Sequence, residues 1–228
     1  MKKLVFLTGA GVSAESGVAT FRDSGGLWEN YDVMKVASIE GWNEDCDLVQ
    51  RFYNDRRAQL ANVEPNAAHR AIALLQADFD ARVITQNVDD LHERAGSRDV
   101  LHLHGELTKA CNEAKTDVIE IGYRAIAEGE KAADGSRLRP FIVWFGETVE
   151  LMNDAAYITR EADIFVIVGT SLQVYPAASL IYFTRGKTPI YAIDPNEIAF
   201  PFDRGEFIRE KASRGMEILR ERLKLLAD

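Results

Sequence analysis

The feature that most narrows the choice of fold is a short apolar run, Leu4-Val5-Phe6-Leu7, that passes almost directly into Gly9-Ala10-Gly11-Val12-Ser13-Ala14. This is a G-x-G-x-x-A pattern placed where a strand turns into a helix. Glycines at such a turn let the backbone approach a pyrophosphate, and the free N–H groups that follow can donate to it. The same grammar recurs along the chain. Arg82–Thr85, Ile164–Val168 and Pro189–Ile193 are short runs rich in β-branched residues and closed by turn-forming or polar ones, as strands buried on both faces are. Amphipathic segments at helical spacing lie between them: Ala67–Phe79 after Pro65, Glu150–Glu161, and Ala177–Phe183 after Pro176. The alternation predicts an α/β fold with a doubly wound, Rossmann-like parallel sheet.

With 228 residues, 46% of them hydrophobic, the chain is sized for one full core and a small inserted lobe. Two stretches break the alternation. Ser24–Val63 opens with a Gly/aromatic loop and continues as helices, and Thr108–Arg137 is charged and Ala-rich. The expected plan is a single domain over 1–228, with a large lobe from 1–23, 64–107 and 138–228 and a small lobe from 24–63 and 108–137. An excess of 36 acidic over 27 basic residues leaves a net charge of −9. That argues against nucleic acid or an anionic membrane as the main partner and remains compatible with lysine-rich protein segments. No run approaches the roughly 18 apolar residues of a membrane span, and the apolar stretch after Met1-Lys2-Lys3 is too short for a secretory leader, so a cytoplasmic location is expected. Cys46 and Cys111 are the only cysteines, too few for a disulfide framework or a four-cysteine zinc site.

An ordinary dehydrogenase would close its second strand with an acid about 20 positions after the glycine turn. Asp32 has the distance but lies among Trp28, Glu29, Asn30 and Tyr31, which is loop chemistry. Other blocks are more specific. Thr85-Gln86-Asn87-Val88-Asp89 lies just beyond the C-terminal end of a predicted strand, the edge where open α/β sheets place ligands; either Asn87 or Asp89 alone would serve equally well as a helix cap. His104 follows the alternating run Leu101-His102-Leu103 and precedes Gly105. His69, His92 and His102 read as structural.

Taken in order, Gly9 to Ser13, Ser16-Gly17-Val18 with Phe21-Arg22, Gln86-Asn87-Val88-Asp89, His104-Gly105, Val143-Trp144-Phe145-Gly146-Glu147 and Gly169-Thr170-Ser171 resemble the ordered motifs of the sirtuins across nearly the whole chain. The resemblance implies an NAD-dependent protein-lysine deacylase, acting on acyl-lysine proteins or peptides and expected to be a monomer. In that chemistry the acyl carbonyl oxygen attacks the anomeric carbon as nicotinamide leaves, an imidate forms, and water finally releases lysine and acyl-ADP-ribose. His104 would be the general base that takes a proton from the ribose hydroxyls, a task suited to an imidazole near neutrality. Asn87 would orient ribose and water, Asp89 the nicotinamide amide and Gln86 the ribose. Gly9, Ala10, Gly11, Ser13, Ser16, Gly169 and Thr170 would build the cofactor site, with Arg22 and Ser171 on phosphates and Phe21 shielding the reactive carbon. Val143, Phe145, Gly146 and Glu147 would pair with the substrate backbone.

Within Leu48–Leu60, Tyr53 and Arg56 share one helix face and look like the Tyr-x-x-Arg pair of the class III, desuccinylase-like sirtuins, with Ala37 as the small residue that leaves room for a longer acyl chain. A guanidinium grips a carboxylate through two hydrogen bonds while a phenol adds a third, which implies succinyl or malonyl groups, with acetyl secondary. The alternative is that Arg51, Arg56 and Arg57 form a solvated helix face. Three departures stand out. Most sirtuins carry two cysteine pairs in the small lobe, whereas here Cys111 stands alone with Ala114 in its partner's place, so no zinc is expected in this zinc-module-derived lobe. Ala19 replaces the usual proline. Asp194 replaces the usual adenosine-ribose asparagine, and Ala212 would lie beside the adenine. Two other readings keep the same pocket: an ADP-ribosyltransferase, and a module that senses NAD or ADP-ribose without turnover. The Val143–Glu147 segment and the intact His104, Asn87 and Asp89 favour the deacylase.

Overall fold

The computed structural model describes residues 1–19, 27–28, 31–198 and 204–224. In chain order its strands are β1 (Lys3–Thr8), β2 (Leu27–Trp28), β3 (Tyr31–Asp32), β4 (Asp80–Thr85), β5 (Val100–His102), β6 (Gly105–Cys111), β7 (Val118–Glu120), β8 (Arg139–Ile142), β9 (Ile164–Val168), β10 (Ile190–Ile193) and β11 (Gly205–Ile208). Its helices are α1 (Val33–Val36), α2 (Ile39–Glu44), α3 (Cys46–Leu60), α4 (Ala67–Leu75), α5 (Leu91–Arg94), α6 (Met152–Glu161) and α7 (Ala212–Lys224).

β1 is buried along its length after Lys3, and the two-residue period of a strand divides its side chains between two cores. Leu4 and Phe6 pack with Ile72 and Leu75 of α4 and Met216 and Leu219 of α7. Val5 and Leu7 pack on the opposite face with Ala155 of α6 and with Leu180 and Ile181 of the 3-10 segment Ala177–Phe183. β9 splits in the same way, Val166 and Val168 to one layer and Phe165 and Ile167 to the other. Covered on both faces, these strands have no need of polar alternation, and this is why they read as continuous apolar runs.

The six-stranded sheet runs β11-β10-β9-β1-β4-β5, all pairs parallel. Chain order reverses between β9 and β1, the switch point of a doubly wound sheet, where loops diverge and leave a crevice. Thr8 is in register with both Thr85 and Val168, so the loops opening at Gly9, Gln86 and Gly169 leave the sheet side by side.

Away from this sheet, α1, α2 and α3 enclose a third core of Val36, Trp42, Val49, Phe52, Tyr53 and Trp144. Beside it lies a three-stranded antiparallel sheet, β7-β6-β8, over Ala110, Ile121, Ile126 and Leu138. The expected lobe boundary at 107/108 falls inside β6, which begins at Gly105 and pairs with β8. The second sheet therefore draws on both sides of that boundary. Ala177–Phe183 is 3-10 rather than α-helical. There Ser179 Oγ donates to the Pro176 carbonyl at 2.7 Å, a local bond that competes with the α-helical ladder.

Candidate active site

The turn after β1 lies flat on the turn after β9. Gly9 N donates to the Val168 carbonyl at 3.0 Å and Gly11 N to the Gly169 carbonyl at 2.9 Å. A Cβ on Gly11 would sit 2.7 Å from Gly169 Cα, and one on Gly169, whose φ is +65°, 2.3 Å from Val12 N. Only glycine allows this approach. Ala10 opens the 3-10 turn that follows. Ser16 Oγ accepts from Asn66 Nδ2 at 3.0 Å, and the same amide donates to the Val12 carbonyl at 2.8 Å. Asn66 is also the N-cap of α4, in a box closed by His69, so one side chain fastens the glycine turn to the helix behind it. Its sequence signal was the Pro65-Asn66 step before an amphipathic run, a helix-start signature.

At the neighbouring loops, Gln86 Nε2 donates to Thr170 Oγ1 at 3.1 Å, and Ser171 Oγ is buried with no partner among the described residues. Asp194 is buried just beyond β10, its Oδ1 accepting from Asn196 N at 2.9 Å. Ala212 is buried at the start of α7, whose Ser213 N–H is held by Glu15 Oε2 at 2.9 Å. Phe21 and Arg22 lie outside the described residues. A glycine cradle that any Cβ would fill, beside an orphaned buried hydroxyl at the switch point, fits the pyrophosphate of a dinucleotide.

Ser13 stands at the centre of the catalytic block. Its Oγ donates to Asp89 Oδ2 at 2.9 Å and accepts from Asn87 Nδ2 at 3.0 Å. His69 Nδ1 accepts from Asn66 N, so its Nε2 carries the proton directed at Ser13 Oγ, 3.3 Å away. Burial holds the His69 imidazole down at about 4, which keeps it neutral. Asp89 also accepts from Leu91 N at 3.2 Å. Burial pushes its carboxyl up to about 6 against the pull of Ser13 and the Leu91 N–H. One carboxylate thus both caps the start of α5 and anchors Ser13.

His104 stands between β5 and β6, half-buried. Its Nδ1 lies 3.0 Å from the Gln86 carbonyl. A carbonyl only accepts, so Nδ1 bears the proton and Nε2 keeps its lone pair. Burial holds the ring below the ordinary histidine value, with the Gln86 bond working the other way. The result is a neutral imidazole with a fixed tautomer at physiological pH, as a general base requires.

The chain's own geometry ties Val143 to the base, for Val143 N donates to the His104 carbonyl at 2.9 Å. The rest of the segment is bonded within the chain. Phe145 N donates to the Ala37 carbonyl and its carbonyl accepts from Ile39 N, both at 2.9 Å. Glu147 faces inward: its carboxylate meets Arg139 Nη1 at 2.9 Å and Lys115 Nζ at 2.7 Å, and accepts from Trp144 N at 2.9 Å. Gly146, at φ +88°, would drive a Cβ to 2.7 Å from Ile39 Cγ2. The backbone of Phe145 and the carboxylate of Glu147 thus brace the segment within the chain, while the Phe145 side chain is exposed.

Between α3 and the Asn87–Asp89 loop lies a small, partly open cavity lined by Val18, Tyr53, Arg56, Gln59, Leu60, Val88, Asp89 and Leu107. Arg56 and Arg57 are both buried, which removes the solvated-face alternative for them. Burial lowers the Arg56 guanidinium to about 10, still a cation at neutral pH. Arg57 is structural, donating from Nε to the Leu107 carbonyl at 2.6 Å. Tyr53 Oη accepts from Trp144 Nε1 at 3.0 Å. Ala37 is buried at the C-terminal end of α1 and is not among the residues lining this cavity.

In the small lobe, Cys111 is buried under the Pro140 carbonyl, and burial pushes its thiol up to about 11. The turn that follows is organised by Asn112, whose amide accepts from Thr116 N and Asp117 N and donates to Asp134. Among the described residues no group of three or more His, Cys, Asp or Glu could hold a metal ion.

A doubly wound sheet with a glycine cradle at its switch point, an acid-amide pair and a neutral histidine defines a nucleotide-dependent group-transfer enzyme. Residues 9–176 match the model of the Sir2 family, and the chain belongs to that family. It is 49% identical to the NAD-dependent protein deacylase of Bacteroides thetaiotaomicron, over 98% of each chain. The Helicobacter pylori (strain 26695) NAD-dependent protein deacylase is 52% identical over 86% of this chain and 85% of its own. Among solved structures, a Sir2 homologue in complex with NAD superimposes with a TM-score of 0.89 at 38% identity, covering 100% of this chain and 91% of that one. No helix among the described residues is long and apolar enough to cross a membrane.

Proposed function

We propose that the chain is an NAD-dependent protein-lysine deacylase that favours acyl groups ending in a carboxylate, such as succinyl and malonyl, and releases nicotinamide and O-acyl-ADP-ribose. The observation that carries the reading is the junction at His104. The imidazole's Nε2 is a free base, its Nδ1 is locked to the loop bearing Asn87 and Asp89, and its backbone carbonyl holds the Val143 segment.

When bound, NAD supplies a ribose carbon made electrophilic by departure of nicotinamide. The glycine turns and Ser171 would hold its phosphates, Gln86 and Asn87 its ribose and Asp89 its carboxamide. Asp194 would accept from the adenosine ribose, and Ala212 would lie beside the adenine. The Val143 carbonyl and Gly146 N–H are the groups left for a substrate backbone, which sets the acyl-lysine chain next to His104. With its Nδ1 proton held by the Gln86 carbonyl, His104 Nε2 would serve as the base for a ribose hydroxyl. In the cavity, apolar walls receive the methylenes of the acyl chain, and Arg56 with Tyr53 receives its carboxylate.

The test is nicotinamide release with NAD and matched acetyl-, succinyl- and malonyl-lysine peptides. Release is expected only with an acylated peptide and with higher kcat/KM for the two acidic groups. Release that ignores the peptide would point instead to NAD hydrolysis or ADP-ribosyl transfer, and equal efficiency across the three would remove the carboxylate preference.

A further inference from the structure

His104 has a near twin. His102 lies two residues earlier, and the two imidazoles clasp consecutive carbonyls of one loop: His104 Nδ1 meets the Gln86 carbonyl at 3.0 Å and His102 Nδ1 the Asn87 carbonyl at 2.9 Å. The far sides of the rings differ. His102 Nε2 lies 2.8 Å from Glu93 Oε1 of α5, whereas no described residue engages His104 Nε2. A backbone carbonyl and a carboxylate are both acceptors, so His102 must supply a proton to each, and only the imidazolium has two. With 7% of its surface exposed, water cannot substitute on either side.

We propose that His102 is a positioning residue for the deacylation reaction, a charged double donor that pins the Gln86–Asp89 loop to α5 and whose neutralisation limits activity at alkaline pH. Burial opposes the charge, but the Glu93 hydrogen bond and charge, then Glu106 of β6 and the Asn87 carbonyl, outweigh it and hold the ring above its ordinary value. The other ionisable groups facing it are Asp89 of the loop and His92 of α5. His92 is kept neutral by its own burial. Above its raised pKa, His102 retains one N–H, and the lone pair on Nε2 then faces the Glu93 carboxylate. The clamp opens, and with it goes the alignment of Asn87 on Ser13 and of the Gln86 carbonyl on His104. This rests on the deacylase reading for its effect on turnover but not for the charge itself.

The experiment pairs E93Q with long-range 1H–15N NMR of the histidine rings, H102Q identifying the resonance. The amide introduced by E93Q keeps an oxygen acceptor for Nε2 and removes the charge, on a side chain that is 40% exposed, so folding is not at stake. In the wild-type protein His102 is expected to show both nitrogens protonated at pH 7.5, and E93Q to lower the pH at which one proton leaves by roughly a unit or more. The alkaline limb of kcat/KM for acyl-peptide deacylation should move down by the same amount while the acid limb stays in place. A singly protonated ring in the wild-type protein, superimposable profiles for E93Q and wild type, or a uniform loss at every pH would each overturn the proposal. The NMR arm needs no turnover, so absence of deacylase activity, which would sink the functional reading, is told apart from a neutral His102.

Discussion

Arg56 lines the cavity beside Asp89 with its guanidinium 5.5 Å from the Phe52 ring centroid, and the carboxylate of an acyl group would engage it through charge-assisted hydrogen bonds. Replacing it with methionine keeps the volume and removes the charge-assisted bonds, worth roughly 1.5–3 kcal/mol. R56M should therefore lower kcat/KM for succinyl-lysine by about 10- to 100-fold and change acetyl-lysine little; equal losses on both would refute the carboxylate role. The base makes a second prediction at this scale. Burial lowers His104 and brings Asp89 to about 6, so the neutral imidazole and the ionised carboxylate both persist below the ordinary histidine value. The acid limb of kcat/KM should lie below about 6.5, and a limb centred above that value would show a perturbation of the opposite sign. The residues of this site were legible in the sequence because ends of apolar strands announce ligand edges. Their supports were not. Asn66, His69, His92 and His102 act through partners far away in sequence, and a single histidine gives no sign of which acceptor its ring will find. Nor did the sequence show that Arg139 and Lys115 enclose the Glu147 carboxylate.

At the scale of elements, the segment Val143–Glu147 keeps its shape through one buried ion triad. Arg139 is 2% exposed at its side chain, is paired in two-pronged fashion with Glu147, and lies 3.7 Å over the Trp144 ring. Burial works against the Glu147 charge, but Arg139, Lys115 and the Trp144 N–H hold its carboxyl below the usual value. That stabilisation is present above the unfolded pKa and is lost as pH falls through the folded one. E147A leaves Arg139 buried and uncompensated, at a cost of about 3–5 kcal/mol, and thermal unfolding should drop on the order of 10 °C; a drop below about 2 °C would show that Arg139 finds another partner. G169A tests the other junction. Its Cβ must displace Val12 N, so ADP-ribose affinity measured by calorimetry should fall roughly tenfold or more, and unchanged affinity would mean that the two turns can part freely. The four interior strands were readable because burial on both faces leaves an unbroken apolar run. The two edge strands are weaker signals: β11 is mostly exposed, and β5 has only three residues, so the alternation at Leu101-His102-Leu103 is too short to mark a strand by itself.

Over the whole molecule, the reversal of strand order between β9 and β1 puts a crevice at the C-terminal edge of the sheet, and the β6–β8 pairing carries the Val143–Glu147 segment to His104 from the second sheet. A ligand that binds only this assembled arrangement stabilises all of it. ADP-ribose at 100 times its Kd should add about 2.7 kcal/mol, seen as a higher melting temperature; no shift under saturation would deny the crevice its occupant. The central claim is that one pocket presents a nucleotide's sugar, an acylated lysine and the imidazole of His104 to one another. The most direct measurement is mass-spectrometric quantification of products from NAD and a succinyl-lysine peptide. The account predicts nicotinamide, free-lysine peptide and succinyl-ADP-ribose in equal amounts, all abolished together in H104A. Nicotinamide accompanied by plain ADP-ribose or by ADP-ribosylated peptide, with the succinyl group still on its lysine, would contradict it.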